Sequence, residues 1–308
     1  MRELNGDGMD PAVLERQGYH LVGEGAVKPC LWLKRSLRGG EQCYKHHFYG
    51  IESHRCVQMT PVLHCNHLCL HCWRPVDEAI PLPERWTEPE DLLEQVLREQ
   101  RRILSGYWGS DLVDRARLHE ASTPKHVAIS LMGEPTFYPH LRGLIKAIKA
   151  KGMTSFLVTN GTNPDALDDL EPTQLYISLN APDEDTYRKV SGGRYWGRIL
   201  ESLSIMHDLR CRTVIRITLV RGLNMFAPEA YAKLLDDAEP DFIEVKAYMH
   251  LGRSRYRLQR DAMPSHEEVV SFASELSESI GYSLEDQVSL SRVALLSRGD
   301  IHRKLDKP

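Results

Sequence analysis

A regular alternation of short apolar strands and helical segments is the feature that most constrains the fold of this chain. Apolar runs typical of strands occur at residues 59–63, 127–131, 155–158, 175–179, 214–220 and 242–246. Periodic apolar positions predict helices at 88–104, 140–151, 183–190, 197–209, 228–237 and 266–280. Strands that alternate with helices in this way pair in parallel and carry the helices outside. The chain is therefore predicted to be an α/β protein built on a parallel sheet.

The chain contains seven cysteines, and the expected compartment decides how they are interpreted. The N-terminus lacks the apolar stretch of a secretory signal, and no apolar run approaches the ~18 residues of a membrane span. A cytoplasmic protein without a membrane partner is predicted. Cytoplasmic thiols rarely form disulfides, which favours metal ligation. The formal net charge of -4 gives no overall attraction to nucleic acid, so RNA contacts would require local basic patches.

The densest cysteine group is the segment CNHLCLHC, in which Cys65, Cys69 and Cys72 have the spacing C-x3-C-x2-C. Closely spaced thiolates select iron-sulfur clusters, zinc or copper(I). A structural zinc site would need a fourth ligand, and three nearby histidines could supply it: His64, His67 and His71. The group follows a predicted strand and precedes a predicted helix. In parallel α/β barrels, this end of the strands carries the active site.

The C-x3-C-x2-C spacing after the first barrel strand resembles the signature of the radical S-adenosylmethionine (SAM) superfamily. This resemblance implies a partial (β/α)6 TIM-like radical SAM barrel, with a 4Fe-4S cluster on the three cysteines and SAM at its open iron. The segment VAISLMGEPT resembles the superfamily's GGEP motif, with Met132 in place of the first glycine. The residues implied to bind SAM lie at or near the ends of successive strands: Gly133, Glu134, Thr159, Asn160, Ser178, Asn180 and Arg216.

A second cysteine triplet lies upstream, where twelve residues separate Cys30 from Cys43 and twelve separate Cys43 from Cys56. At this spacing the three thiols could be unrelated buried cysteines. However, the surrounding segment, from VKPC to RCVQMTP, closely resembles the N-terminal region of the archaeal tRNA 4-demethylwyosine synthases. The resemblance implies a second 4Fe-4S cluster with an open iron on this triplet. It also implies a Schiff-base role for Lys45, two residues after Cys43. The seventh cysteine, Cys211, is interpreted as a core residue.

The resemblance to these synthases covers about residues 18–258 and implies a complete activity. The substrate would be 1-methylguanosine beside the anticodon of tRNA(Phe), and pyruvate would supply two carbons that close a third ring. A radical derived from SAM would first remove hydrogen from the N-methyl group. An external one-electron donor is implied as a partner, and the protein is expected to be a monomer.

A basic segment after the last predicted barrel strand is the candidate RNA contact. Arginine can pair with phosphate and tyrosine can stack on an unpaired base, although a basic run is often only a solvated surface. The candidate RNA-binding residues are Arg253, Arg255, Tyr256 and Arg257.

The predicted organisation has three parts. Residues 1–57 form an N-terminal extension that carries the second cluster, 58–282 form the barrel, and 283–308 form a tail with a possible edge strand. Two other functions remain open at this point. One is a different two-cluster radical SAM enzyme, such as an activase or a peptide modifier, and the other is a non-catalytic zinc-dependent RNA-binding protein.

Overall fold

The computed structural model describes residues 11–75, 80–299 and 301–305. Its strands are β1 His20–Val22, β2 Gly25–Val27, β3 Cys56–Thr60, β4 His126–Ile129, β5 Thr154–Thr159, β6 Gln174–Ser178, β7 Arg212–Leu219, β8 Phe242–Ala247, β9 Ser283–Val288 and β10 Val293–Ser297. Its helices are α1 Pro11–Arg16, α2 Leu31–Ser36, α3 Tyr44–Tyr49, α4 Pro89–Ser105, α5 Arg115–Ala121, α6 Leu141–Ala150, α7 Glu184–Ser191, α8 Trp196–Ser204, α9 Pro228–Asp236 and α10 His266–Ile280.

All ten strands form one sheet, in the order β1-β2-β3-β4-β5-β6-β7-β8-β10-β9. The six strands from β3 to β8 are parallel to one another. Antiparallel strands extend both edges, with β1 and β2 before β3 and with β10 and β9 after β8. The predicted α/β class and partial (β/α)6 TIM-like barrel are confirmed.

The two faces of the parallel strands serve different purposes, because side chains alternate along a strand. Leu157 and Ile177 belong to the large outer core, which includes the apolar sides of the helices. Phe156 and Tyr176, one residue earlier in each strand, belong to a second cluster inside the barrel. Complete burial of one such apolar side chain contributes ~1.5–3 kcal/mol to stability. The outer core therefore supports the barrel, while the inner face is available to surround a site.

The N-terminal segment packs against the inner face of the barrel. Phe48 and Tyr49 of α3 are completely buried there, and the Tyr49 ring centroid lies 5.7 Å from that of Phe242 on β8. The C-terminal residues hold α3 in place, because Leu305 N donates a hydrogen bond to Tyr49 O (2.9 Å). The chain then enters β3 at Cys56. The division of the chain after residue 57 remains a prediction.

Two element boundaries differ from the predictions for identifiable reasons. The first parallel strand was predicted at 59–63 but spans Cys56–Thr60 and ends before Pro61, which has no N–H to donate to a ladder. The helix predicted at 197–209 ends at Ser204 and is followed by a short 3-10 turn at Met206–Asp208. No helix among the described residues is long and apolar enough to cross a membrane.

Candidate active site

The loop after β3 carries Cys65, Cys69 and Cys72, all partly exposed and none in a disulfide. Burial raises the pKa of Cys65, and Cys69 adds to the shift. Burial also raises the pKa of Cys69, to about 12, and Cys72 acts in the same direction. Because such mutual effects require proximity, the three thiols form one group. Thiols of this kind deprotonate when a bound metal stabilises the thiolate.

Contacts from two directions fix this cysteine loop. Leu70 N donates a hydrogen bond to Val190 O (2.8 Å) at the end of α7. From the other side, Arg257 donates through Nε to Leu70 O (3.3 Å) and through Nη2 to Cys72 O. The side chain of Arg257 thus positions the loop. An RNA contact by Arg257 remains a prediction.

The backbone at Gly133 approaches the cysteine loop too closely for any side chain. Gly133 has φ +70°, and a Cβ placed there would lie 2.3 Å from Val62 O and 2.8 Å from His64 O. Glu134 N also donates to His64 O (2.7 Å). Met132, which departs from the expected motif, is buried in a small apolar cluster and leaves this approach open. Of the two glycines in the GGEP motif, the chain therefore keeps the second one, Gly133, which is the one that the close approach requires.

Substitution of Gly133 by alanine is expected to destabilise both the fold and the cysteine loop. The left-handed backbone alone costs roughly 1–2 kcal/mol for a residue with a Cβ, and the overlap with backbone oxygens adds ~1–3 kcal/mol. Gly152→Ala is the matched control, because Gly152 has φ +68° with nothing within 4 Å of its Cβ position. Denaturant unfolding of both variants measures the difference. Equal losses would contradict the importance of the close approach.

Three of the predicted SAM-binding residues form one hydrogen-bond network. Glu134 is buried, and its Oε1 accepts from Thr159 Oγ1 (2.6 Å) while its Oε2 accepts from Asn160 N (2.7 Å). Asn160 Nδ2 donates to Asn66 Oδ1 (2.8 Å) on the cysteine loop. Burial raises the pKa of Glu134, against these hydrogen bonds. The network therefore ties the ends of β4 and β5 to the loop between Cys65 and Cys69.

The remaining predicted SAM-binding residues lie on β6, β7 and the turn that follows β6. Asn180 supports this turn, because its Oδ1 accepts from Thr218 N (2.8 Å). Ser178 is the last residue of β6 and pairs in register with Arg216 on β7. The Arg216 guanidinium donates through Nε to Glu244 Oε2 (3.0 Å) and lies 4.5 Å from the centroid of the Tyr176 ring. SAM contacts by these residues remain predictions.

The second cysteine triplet also forms one group. Cys30 and Cys43 precede the first residues of α2 and α3, and Cys56 begins β3. Burial raises the pKa of Cys30 to about 11, with Cys43 adding to the shift. Burial raises the pKa of Cys56, and both Cys30 and Cys43 act in the same direction. Residues far apart in sequence are thus close enough to interact electrostatically, and cluster binding by this triplet remains a prediction.

Lys45 is partly buried and points into the barrel next to this triplet. Its Nζ lies 4.2 Å from the centroid of the Tyr176 ring and 4.7 Å from that of Phe156. Burial lowers the pKa of Lys45 to about 8, and Arg216 lowers it as well, against the opposing effect of Glu244. The apolar surroundings thus favour the neutral amine, which is the nucleophilic form.

Two charged residues of this inner chamber were not singled out from the sequence. Glu244, completely buried on β8, accepts hydrogen bonds from Tyr44 Oη (3.1 Å) and Tyr49 Oη (2.9 Å) in addition to Arg216. Lys246, also on β8, donates to Ser291 O (2.7 Å), and burial lowers its pKa to about 8. The sequence does contain a pattern that could have indicated them. Glu244 and Lys246 are two residues apart in the otherwise apolar strand FIEVKA, and this spacing places both side chains on the same face of the sheet.

The candidate RNA-binding segment borders the cysteine loop. Tyr256 is 76% exposed, and the Arg253 guanidinium lies 6.0 Å from the centroid of its ring. Arg255 is exposed beside it. Arg253 N donates to Trp73 O (3.0 Å), which joins the segment to the residue after Cys72. Arg253, Arg255 and Tyr256 therefore lie at the same rim as the cysteine loop.

Two of the three histidines considered as zinc ligands have other partners, and the third, His71, has a buried Nδ1 to which the described residues offer no hydrogen bond. His64 Nδ1 is 2.6 Å from Ile80 O, and His67 Nε2 is 2.7 Å from Tyr187 Oη. Burial lowers the pKa of His71 to about 4. In the part of the chain that the structure describes, no three His, Cys, Asp or Glu side chains converge on a single-ion position. A four-iron cluster does not need such convergence, because each thiolate binds a different iron.

Comparisons with known proteins agree with this geometry. The family described as Radical SAM superfamily matches residues 59–235, and the family described as Wyosine base formation matches residues 237–298. The S-adenosyl-L-methionine-dependent tRNA 4-demethylwyosine synthase of Pyrococcus abyssi is 47% identical over 302 residues, which cover 94% of this chain and 88% of that protein.

Two solved structures share the fold over nearly their whole length. A structure of TYW1 with a lysine-pyruvate adduct bound has a TM-score of 0.88 and 42% identity, covering 97% of this chain and 99% of that one. A crystal structure of archaeal TYW1 has a TM-score of 0.82 and 40% identity, covering 96% of this chain and 100% of that one.

Proposed function

This chain belongs to the S-adenosyl-L-methionine-dependent tRNA 4-demethylwyosine synthases, and from this premise we propose that it condenses 1-methylguanosine of tRNA(Phe) with pyruvate. The product is tricyclic 4-demethylwyosine, formed beside the anticodon. The observation that best supports this proposal is the position of Lys45 inside the barrel, next to the second cysteine triplet. This family membership also disfavours an activase or a peptide modifier.

The grouping of six thiols as three plus three suits two 4Fe-4S clusters. The first triplet (Cys65, Cys69 and Cys72) would hold one, and the second triplet (Cys30, Cys43 and Cys56) the other. The donor set fits, because each triplet leaves one iron without a protein thiol. When bound, the first cluster supplies the electron that cleaves SAM, and the second supplies an open iron for pyruvate.

Lys45 is the proposed covalent partner of pyruvate. Its Nζ attacks the pyruvate carbonyl carbon, and loss of water leaves a Schiff base. The lysine-pyruvate adduct in the related TYW1 structure supports this step. The rings of Tyr176 and Phe156 exclude water from the amine. A dry, apolar wall keeps the amine neutral more often than a solvated surface would.

The charge of the inner chamber also suits a small anionic substrate. Lys45, Arg216 and Lys246 bring three basic groups together, and Glu244 is the carboxylate that the described residues place among them. These basic groups outnumber the carboxylate, so an anionic ligand balances those that are protonated. The pyruvate carboxylate and the second cluster provide this negative charge.

SAM is proposed to lie along the strand ends that face the first triplet. Glu134 has both carboxylate oxygens occupied, so its side chain shapes the site, and the backbone at Gly133 and Glu134 faces the methionine part of SAM. Asn160 connects this wall to the cysteine loop. The other proposed SAM contacts are those predicted from the sequence: Thr159, Ser178, Asn180 and Arg216.

The exposed rim formed by Arg253, Arg255 and Tyr256 is the proposed tRNA contact. An exposed tyrosine can stack on an unpaired base, and the arginines can pair with phosphate. Since the rim joins the cysteine loop at Trp73, a base held there lies close to the SAM site. We propose in addition that the protein acts as a cytoplasmic monomer and receives its electrons from an external one-electron donor.

A product assay tests the proposed function directly. Anaerobically reconstituted protein is incubated with SAM, dithionite, isotope-labelled pyruvate and tRNA(Phe) that carries 1-methylguanosine. Nucleoside mass spectrometry is expected to show 4-demethylwyosine that contains two labelled carbons.

The matched control is the same tRNA with unmodified guanosine at that position, which should give no labelled nucleoside. Product from the unmodified tRNA would contradict the proposed substrate. Protein that binds zinc instead of iron and forms no labelled product would favour the non-catalytic RNA-binding alternative.

A further inference from the structure

Arg74 is a buried cation near both cysteine triplets. It follows Cys72 by two residues, and its side chain is only 5% exposed. Its guanidinium stacks on the Trp73 ring, 3.7 Å from the centroid, and Nη1 donates to Tyr19 Oη (2.9 Å). The proposed roles of the cysteines and of Lys45 leave this residue unexplained.

Arg74 lies within electrostatic range of a thiol from each triplet, Cys72 of the first and Cys30 of the second. Its hydrogen-bond partner Tyr19 is a neutral phenol, because burial raises its pKa. Within residues 11–75, 80–299 and 301–305, no Asp or Glu forms an ion pair with its guanidinium. Lys28, two residues before Cys30, adds a further positive group, because its Nζ lies 4.1 Å from the centroid of the Tyr19 ring that Arg74 contacts. A buried arginine stays charged and is costly without a negative partner.

We propose that Arg74 is a countercation shared by both iron-sulfur clusters, and that its charge raises the reduction potential of each. This inference rests on the proposed two-cluster function. Each cluster gains one negative charge when it accepts an electron, and a nearby buried cation stabilises the reduced form. Charge and hydrogen bonding around a cluster are established determinants of its potential.

Potentiometric titration of the full-length, reconstituted protein tests the proposal, with electron paramagnetic resonance as the readout. Arg74→Gln is expected to shift the midpoints of both clusters to more negative values. At a fixed potential near the midpoint, the ratio of reduced to oxidised cluster should fall by ~tenfold, which corresponds to 59 mV for one electron. Arg74→Lys keeps the charge and should restore most of the shift. Arg298→Gln, an exposed arginine paired with Glu239, is the matched control and should leave both midpoints unchanged.

Several outcomes would overturn the inference. The inference would be wrong if a fully iron-loaded Arg74→Gln protein had the same midpoint potentials as the wild type. It would also be wrong if the midpoint potential of only one cluster shifted. Equal shifts in Arg74→Gln and Arg74→Lys would indicate packing on Trp73 and Tyr19 instead of charge.

Unfolding of chelator-treated and iron-loaded protein gives a second readout if Arg74→Gln loads poorly. Without clusters, Arg74 is an uncompensated buried charge, so Arg74→Gln should not destabilise the chelated protein. An equal loss of stability with and without iron would overturn the shared-countercation role. If the wild-type protein could not be loaded with iron at all, the proposed function would be overturned together with the inference. If the wild-type protein were active and the midpoints of Arg74→Gln were unshifted, only the inference would be overturned.

Discussion

Lys45→Ala is expected to abolish the covalent adduct with pyruvate and to lower 4-demethylwyosine formation by more than ~100-fold, because no other group replaces a lost nucleophile. SAM cleavage should continue, since Lys45 lies with the second triplet and not with Cys65, Cys69 and Cys72. Borohydride reduction in the presence of labelled pyruvate, followed by peptide mapping, measures the adduct. Nucleoside analysis of the same samples measures the product.

Lys246→Gln is the control for this experiment, because Lys246 shares the chamber and also has its pKa lowered to about 8. The two lysines differ in their contacts. Lys246 Nζ donates to Ser291 O, whereas Lys45 Nζ faces aromatic rings. The adduct should therefore persist in Lys246→Gln at the Lys45 peptide. Mapping of the label to Lys246, or full product from Lys45→Ala, would show that the assignment is wrong.

The second large effect is expected from single cysteine substitutions. Loss of one thiol should prevent cluster binding by its own triplet and leave the cluster of the other triplet in place. Cys65→Ala should lose roughly half of the bound iron and all 5'-deoxyadenosine formation. Cys56→Ala should lose a similar share of iron and form no tricyclic product, yet still cleave SAM. The reason is spatial, since each thiol interacts with the other members of its own triplet.

Cys211→Ala serves as the control, because Cys211 packs against the outer core. This variant should keep its full iron content and activity. Iron analysis, visible absorption and chromatography of SAM products distinguish the three proteins. If Cys56→Ala kept all its iron, or if Cys65→Ala still cleaved SAM, the assignment of the triplets would be incorrect.

Much of the fold followed from local sequence patterns. The apolar runs of β4 to β8 and the periodic helices α4, α6, α7, α9 and α10 lie within about three residues of their predicted positions. The short strands β1 and β2 and the polar strand β9 were not predicted in this form. The sequence SLEDQV lacks an apolar alternation, and its pairing with β10 depends on neighbours instead.

The residues around the clusters were only partly predictable. The spacing of Cys65, Cys69 and Cys72 carries its own information, because close thiols can bind one centre wherever the loop lies. The need for Gly133 was visible as part of a motif, but its reason is the approach of two backbones from different loops. Arg257, predicted from its charge as an RNA contact, forms its observed hydrogen bonds with the cysteine loop.

The sequence by itself determined the parallel α/β class and the close cysteine group of Cys65, Cys69 and Cys72, because strand and helix periods and cysteine spacing are properties of the linear chain. The barrel and the second cysteine triplet were implied by the resemblance to the family. The tertiary structure alone decided that Lys45 faces Tyr176 and Phe156 near Arg216, and that Arg74 lies near both Cys72 and Cys30. Burial and electrostatic interactions depend on distances between segments that are remote in sequence, and only packing sets those distances.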